Sequence, residues 1–208
     1  MIEDKIKLLR KAAQVSTTES AENVWCVIVG NKEVIDTIVY EVMSLKENVK
    51  ILLKRKMKLN ELFITRKFNL MVLYGEESQI RELSLICKEI GGLALKIAPY
   101  HVKNNSNLVL IVGLLPHVKK YIGKLEDKNI KFSIILREET SSFIDTDVRL
   151  LKYLPNFVKD ILDPLFKVTD VLVSTILLSI DKKDFEKIDE IKSKDVFVLK
   201  FREIMGEK

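Results

Sequence analysis

The sequence predicts a mixed α/β protein that consists of two β-α-β-containing halves. Residues 24–29 read Val-Trp-Cys-Val-Ile-Val and are apolar at every position, which is typical of a strand covered on both faces. Beyond Gly30 and Asn31, apolar residues recur at helical spacing, and a second apolar run begins at Val49. The same order of strand, glycine, helix and strand recurs over residues 108–136. This repetition indicates two related halves.

The first half is predicted over residues 24–104. Its predicted elements are, in order, a strand at 24–29, a helix from Val34, a strand from Val49, a strand at 68–74, a helix from Glu76 and a strand at 93–98. The pair Gly91-Gly92 ends the second helix, because glycine readily adopts the left-handed conformation that closes helices. Segment 57–67 mixes basic and apolar residues, and we predict a short helix or an irregular crossing there.

The second half is predicted over residues 105–208, after a loop at 99–107 that is rich in turn-forming residues. Its predicted elements are a strand at 108–112, a helix after Pro116, a strand at 130–136, a helical insertion at 147–166, a strand at 168–180, a helix at 182–192 and a strand at 196–201. Pro155 and Pro164 interrupt the insertion, since proline disrupts a helix interior.

Two architectures are compatible with this order of elements. One is a continuous mixed sheet with helices on both faces, and the other is an α+β pair of tandem ferredoxin-like domains with antiparallel sheets. Residues 1–23 precede both halves and read as a leading helix followed by a polar linker. We expect this helix to pack on the domain, to connect to another domain, or to form a homodimer.

Composition limits the classes of protein to which this chain can belong. The 208 residues carry a net charge of +5 and contain no apolar run long enough to span a bilayer, so we expect a cytoplasmic protein without membrane contact. Cys26 and Cys87 lie within apolar periodic segments, and we expect both to pack as small hydrophobic residues. Abundant lysine and glutamate with scarce glutamine are typical of thermophile proteins.

A basic run offers the first candidate binding surface. Its members are Lys50, Lys54, Arg55, Lys56, Lys58, Arg66 and Lys67. A concentrated stripe of bases is a feature of nucleic-acid-binding proteins, because such bases neutralise backbone phosphates. The alternative is a solvated strand end whose charges serve only solubility.

A second set of candidates would bind a small anionic ligand. Gly30, Asn31 and Lys32 stand between the first strand and helix, where backbone amides attract anions. His101 and Lys103 form a His-x-Lys pair that is repeated by His117 and Lys119, a pairing also used by phosphodiesterases. The aspartate that such enzymes carry five positions later is absent from both copies. We therefore predict no catalytic residue, and we also predict no metal site.

The stretch from Leu8 to Arg55 resembles the start of the effector-sensing domain of TrmB-type archaeal transcription regulators. The residues that carry the resemblance are Leu8-Leu9-Arg10-Lys11-Ala12, the polar linker to Ser20, Glu22-Asn23-Val24-Trp25, Ile28-Val29-Gly30 and Val49-Lys50-Ile51-Leu52-Leu53. The order of elements over residues 80–113 and the stretch 150–166 are also similar to that family. The resemblance implies a phospholipase-D-like fold without catalytic residues, although no winged helix precedes residue 1 here and no ligand contact of the family can be matched.

These observations favour a non-catalytic regulatory or ligand-sensing module of archaeal type that responds to a small-molecule effector and has a role related to transcription. The first alternative is a nucleic-acid-binding protein that uses the basic run between Lys50 and Lys67. The second alternative is an enzyme that acts on nucleotides or phosphoesters through His101 and Lys103. The sequence does not identify a cofactor.

Overall fold

A computed structural model describes residues 22–45, 48–60, 64–103, 107–191 and 193–205. The predicted leading helix, and the homodimer that it would form, lie outside these residues. The chain divides into two compact units. The first unit comprises Met1–Lys96 and Ser141–Val171, and the second comprises Ile97–Thr140 and Leu172–Lys208. The helical insertion therefore groups with the first unit.

The described chain contains eight strands with helices between them, which confirms the predicted mixed α/β class. In chain order they are β1 (Asn23–Gly30), α1 (Lys32–Ser44), β2 (Val49–Asn60), β3 (Ile64–Glu76), α2 (Glu77–Glu89), β4 (Leu93–Ile97), α3 (Pro99–Lys103), β5 (Leu108–Leu114), α4 (Leu115–Asp127), β6 (Phe132–Val148), the 3-10 helix η1 (Arg149–Tyr153), α5 (Asn156–Phe166), β7 (Val168–Ile180), the 3-10 helix η2 (Phe185–Glu190), β8 (Val196–Lys200) and α6 (Arg202–Met205).

The first unit has the strand order β4-β1-β3-β2, which is the ferredoxin-like arrangement of a β-α-β-β-α-β unit. The pairings of β1 with β3 and of β2 with β3 are antiparallel. A bulge between Ile51 and Leu53 interrupts the pairing of β2 with β3. The last residues of β6 extend this sheet, because Asp145–Val148 pair antiparallel with Ile64–Lys67.

The core of the first unit lies between its sheet and the helices α1 and α2. Apolar stripes on both helices face the strands, as their helical spacing predicts. The buried members include Ile28, Ile35, Ile38, Met71, Leu73, Ile80, Leu83 and Ile86. Cys26 and Cys87 belong to the same cluster as buried free thiols. This confirms the prediction that both cysteines serve packing.

The second unit repeats this architecture with β5, α4, β6, β7, η2 and β8. Its strands are ordered β8-β5-β7-β6, and β5 pairs antiparallel with both β7 and β8. Its core comprises Val109, Ile111, Val118, Tyr121, Leu125, Ile176, Leu178, Phe185, Ile188 and Val196, among others. Both units thus follow the ferredoxin-like alternative that the sequence left open.

Segment 57–67 does not form the predicted helix or irregular crossing. β2 continues to Asn60 and β3 begins at Ile64, so the described part of the segment belongs to a β-hairpin. Met57 and Leu59 alternate with Lys56 and Lys58, and this period of two suits a strand. The backbone pairing with β3 stabilises this part of β2 as a strand.

Several other predicted boundaries were wrong. The strand predicted at 130–136 is β6, which continues to Val148, so residues 147 and 148 are strand and the helices of the insertion begin only at Arg149. The start of the predicted loop at 99–107 is the short helix α3. The helix predicted at 182–192 is reduced to the six-residue η2. Among the described residues, no helix has the length and apolar character needed to cross a membrane.

Candidate functional site

A basic cleft, here called the lysine cleft, lies within the first unit and has a volume of about 740 Å³. Its charged lining residues are Lys32, Lys56, Lys58, Lys67, Lys152, Lys159 and Lys167, together with Asp145, Asp147 and Asp163. Its other lining residues include Met57, Phe68, Asn69, Thr146 and Leu151. Seven lysines against three aspartates leave the cleft with a positive charge, which suits an anionic ligand.

The pairing of three strands explains why several of these charges share one face. Lys56 lies opposite Asn69 and Lys58 opposite Lys67 in the β2–β3 register. Lys67 in turn lies opposite Asp145 in the β3–β6 register. Because alternate residues of a strand point to the same face, and directly paired residues share that face, these side chains form a common floor.

The start of α1 contributes Lys32 to the cleft. The backbone N–H of Lys32 donates to Asp145 Oδ2 at 3.3 Å, and the side chain of Asn31 caps the helix by accepting from Val34 N at 2.9 Å. The backbone amides of Lys32 and Val34 thus already have acceptors within the protein. The Lys32 ammonium donates to Asp36, and this hydrogen bond raises the pKa of Lys32.

A polar cluster attaches the tip of the β2–β3 hairpin to η1. Arg149 Nε donates to Thr65 Oγ1 at 3.0 Å, and Arg149 Nη2 donates to Asn60 Oδ1 at 2.6 Å. The Thr65 hydroxyl donates to the same Asn60 oxygen at 3.1 Å. Charge-assisted hydrogen bonds of this kind are among the stronger polar contacts in proteins. They hold one end of the cleft in place.

The insertion supplies the remaining lysines. Lys152 comes from η1, Lys159 from α5, and Lys167 stands between α5 and β7. Thr146 N donates to the Lys167 carbonyl at 2.7 Å, and the hydroxyl groups of Thr146 and Thr169 form a 2.6 Å hydrogen bond. These contacts tie the return of the insertion to β6.

The structure divides the predicted basic run into two groups. Lys56, Lys58 and Lys67 line the cleft, whereas the other four members do not. Lys54 lies 3.8 Å from the Asp36 carboxylate. Arg55 and Arg66 each alternate with a cleft lysine along their strands, so they lie on the opposite face of the sheet. Lys50 also lies on β2, which is the edge strand of the first unit.

The predicted ligand-binding residues are likewise divided. Lys32 lines the cleft, and Gly30 and Asn31 directly precede it. His101 and Lys103 lie on α3 of the second unit, where the rings of His101 and Tyr100 have centroids 4.0 Å apart. Among the described residues, no group of three or more histidine, cysteine, aspartate or glutamate side chains is placed to hold a metal ion.

Sequence reasoning missed the contribution of the insertion to the site. The predicted helical insertion began at residue 147, yet Asp145 and Asp147 both lie on β6. Their alternation with Ile144, Thr146 and Val148 has the period of a strand, which is a signal that could have placed them correctly. Lys152, Lys159 and Lys167 carry no such local signal.

Two solved structures are similar to this chain over most of its length. The crystal structure of an unknown protein from Galdieria sulphuraria shares 10% identity at a TM-score of 0.32, covering 86% of this chain and 98% of that chain. The crystal structure of a protein provisionally described as a glycine cleavage system transcriptional repressor shares 12% identity at a TM-score of 0.28, covering 86% and 97%. At these TM-scores neither similarity supports a conclusion about this chain. No protein-family model and no curated protein matches it.

Proposed function

We propose that the chain is a regulatory, ligand-sensing module that binds a small phosphate-bearing molecule in the lysine cleft without transforming it. The observation that carries this proposal is the convergence of seven lysines around one concave space. They come from α1, β2, β3, η1, α5 and the residue before β7. A charged strand would expose its lysines along a line, whereas these lysines surround a volume.

The size of the cleft suits a small molecule. Its volume of about 740 Å³ falls within the range of roughly 300–1,000 Å³ that is usual for ligand pockets. Lysine ammonium groups bind phosphate as mobile point charges. Leu151 also lines the cleft, and its apolar side chain can contact the non-phosphate part of a ligand.

Asn69 adds a polar group that a ligand can use. It lines the floor of the cleft and is only 7% exposed. A side-chain amide carries both donors and an acceptor, so Asn69 is well placed to bind a neutral or anionic oxygen of the ligand.

Binding of inorganic phosphate, pyrophosphate and ATP by isothermal titration calorimetry tests the proposal. The triple variant Lys56→Gln, Lys58→Gln, Lys67→Gln removes three charges from the floor, and we expect it to weaken pyrophosphate and ATP binding by at least about tenfold. The matched control is Lys119→Gln, Lys120→Gln, Lys128→Gln, which removes three exposed lysines outside the cleft. Equal binding by the two triple variants would disprove the proposal.

A second candidate function is nucleic-acid binding along β2. It is favoured by one observation: Lys50, Lys54 and Arg55 are exposed on this edge strand. Lysines on an edge strand also prevent unwanted pairing with other strands, which is a sufficient structural reason for them. Fluorescence anisotropy with labelled DNA and RNA at two salt concentrations separates these roles.

The variant Lys54→Glu, Arg55→Glu reverses charge outside the lysine cleft. If β2 binds nucleic acid, this variant loses binding and the wild type shows a steep salt dependence. If the cleft is the site, this variant retains pyrophosphate binding. The transcription-related role and the TrmB-type relationship that the sequence resemblance implies stay predictions.

A further inference from the structure

Tyr121 carries a buried hydroxyl group that has no hydrogen-bond partner among the residues that the structure describes. The residue lies on α4 in the core of the second unit and is only 1% exposed. Among the described residues, no group accepts from or donates to its Oη atom. A buried hydroxyl without a partner is unfavourable, because it has exchanged its hydrogen bonds to water for none. Such a group in a native structure requires an explanation.

A pocket of about 340 Å³ lies beside this hydroxyl, here called the tyrosine pocket. Tyr121 lines it together with Asp189, Ser193, Lys200 and Glu203, all within the second unit. Aliphatic side chains such as Ile188 complete the lining. The pocket therefore combines an apolar wall with several polar groups, which is the usual composition of a ligand site.

The charge of Lys200 is already balanced within the protein. Its ammonium group donates to Asp189 Oδ2 at 2.7 Å and to Glu186 Oε2 at 3.0 Å, and it lies 4.8 Å from the centroid of the Phe185 ring. These partners hold Lys200 in its buried position, where it is 4% exposed. Ser193 Oγ already accepts from the backbone N–H of Asp195 at 3.3 Å. The acceptors that remain in the pocket are Tyr121 Oη, the second carboxylate oxygen of Asp189 and the Glu203 carboxylate.

We propose that the tyrosine pocket binds a small organic cation, specifically a primary ammonium compound with a short aliphatic chain. The ammonium group donates to Tyr121 Oη and to the Asp189 carboxylate, and the aliphatic chain packs against Ile188 and its neighbours. This supplies the missing partner of the buried hydroxyl. The site is independent of the lysine cleft and takes a ligand of opposite charge.

The protonation state of Tyr121 agrees with this role. Burial, with a smaller contribution from the Asp189 charge, raises the pKa of Tyr121 to about 12. The phenol is therefore neutral at physiological pH, and its oxygen retains lone pairs that accept from an ammonium donor.

The first unit shows that a core at this helical position does not require a hydroxyl. Ile38 follows Gly30 by eight residues, and Tyr121 follows Gly113 by eight residues. Each of these glycines lies at or near the end of the first strand of its unit. Ile38 is fully buried in the core of the first unit. An aliphatic side chain therefore satisfies the packing of this position.

Titration calorimetry with n-butylammonium chloride tests the proposal at constant ionic strength. Sodium butyrate and n-butanol serve as anionic and neutral ligands of matched size. We expect n-butylammonium to bind and the other two to bind at least tenfold more weakly. Butyrate or butanol binding as tightly as n-butylammonium would overturn the proposal, as would the absence of n-butylammonium binding.

Two variants locate the binding. Tyr121→Phe removes only the hydroxyl group and retains the ring, and we expect it to weaken n-butylammonium binding at least about tenfold, since a hydrogen bond to a charged group is lost. Glu203→Gln neutralises an exposed carboxylate at the rim and should weaken binding by a smaller factor. The matched control is Tyr100→Phe, whose side chain is 61% exposed on α3. Unchanged affinity in Tyr121→Phe would contradict the proposal.

Discussion

The two units share one packing scheme, but one matching buried position of their first helix is aliphatic in the first unit and a tyrosine in the second. In the first unit, α1 buries Ile35, Ile38 and Val42, and in the second unit, α4 buries Val118, Tyr121 and Leu125. Measured from Gly30 and Gly113, these residues stand at matching distances along the chain. An apolar stripe on the first helix is sufficient for the core to pack, and this packing does not require the hydroxyl group of Tyr121.

The second helix of each unit differs more. The first unit has α2, with 13 residues and four buried apolar side chains. The second unit has η2, with six residues and two buried side chains. A shorter helix covers less of the sheet, and the tyrosine pocket includes Ile188 and Asp189 of η2. The repeated fold therefore gives both units a similar core, whereas the helices that cover the sheet differ between the units and help to form the candidate sites.

The candidate sites also differ in charge and origin. The lysine cleft of the first unit depends on an insertion and has an excess of lysines. The tyrosine pocket of the second unit depends on a shortened helix, and Lys200, the one lysine among its described lining residues, is paired with two carboxylates. The four predictions that follow test this contrast, from the largest expected effect to the smallest.

Removal of side-chain atoms at the matching positions Ile38 and Tyr121 should change the free energy of unfolding differently. Ile38→Ala leaves a cavity in a closely packed core, and we expect it to lower the free energy of unfolding by about 2–5 kcal/mol. Tyr121→Phe removes a hydroxyl without a partner, so we expect no loss, or a gain of up to about 1 kcal/mol. Urea denaturation of both variants measures this. Similar losses for the two would show that Tyr121 Oη has a stabilising contact in the free protein.

The two units should differ in their sensitivity to alkali. Burial raises the pKa of the Cys26 thiol to about 11, and burial also raises the pKa of Cys87. An unfolded thiol ionises near pH 8.5, so the unfolded state loses its proton first and is favoured as the pH rises. Stability from Cys26 is complete below about pH 8.5 and falls by about 3 kcal/mol towards pH 11.

Urea midpoints measured between pH 7 and pH 11 test this prediction. We expect Cys26→Ala to reduce the fall in stability over that range, because the variant keeps only the Cys87 thiol to ionise. Tyr121 in the second unit has a pKa of about 12, so its contribution falls only at pH values above the ordinary tyrosine pKa of about 10. Identical pH profiles for the wild type and the variant would contradict this account.

The helix ends of the two units use different residues for the same turn. Gly91 after α2 and Asn129 after α4 both have positive φ, at 83° and 53°. The next residue donates back into each helix, from Gly92 N to Cys87 O at 2.8 Å and from Ile130 N to Leu125 O at 3.0 Å. This is the pattern of a Schellman cap.

Exchange of these two residues should have unequal effects. A Cβ atom at Gly91 would collide with the ring of Phe143, so Gly91→Asn should cost about 1–3 kcal/mol through overpacking. Asn129→Gly should change stability by no more than about 0.5 kcal/mol, because both residues tolerate this conformation. Thermal denaturation of the two variants provides the comparison, and equal costs would show that Phe143 moves aside freely.

The carboxylates of the lysine cleft should oppose its ligand. Asp145→Asn removes a negative charge that lies opposite Lys67 and close to the start of α1. We expect pyrophosphate affinity to rise several-fold, while the lost interaction with the helix dipole costs about 0.3–1 kcal/mol of stability. Asp170→Asn, which changes an exposed residue outside the cleft, is the control. A weaker affinity in Asp145→Asn would mean that Asp145 supports ligand binding, and an unchanged affinity would mean that its charge does not act on the ligand.

Local patterns in the sequence were enough to predict the strongest elements. The apolar run before Gly30, the helical stripe after it and the strand at Val168–Ile180 match the structure. The reason is that burial on one or both faces imposes a period on neighbouring residues. Segment 57–67 failed because its lysines obscure that period, and only pairing with β3 reveals the strand.

The mixed α/β class, the repeated order of elements and the burial of both cysteines could be predicted from local sequence patterns. Which lysines act together depends on the folded chain. Lys58 and Lys67 meet through strand register, and Lys167 joins them because the insertion returns to Thr146. Only the packing of the second unit could show that the Tyr121 hydroxyl has no hydrogen-bond partner among the described residues. A site depends on contacts between distant residues, and these leave no periodic trace in the chain.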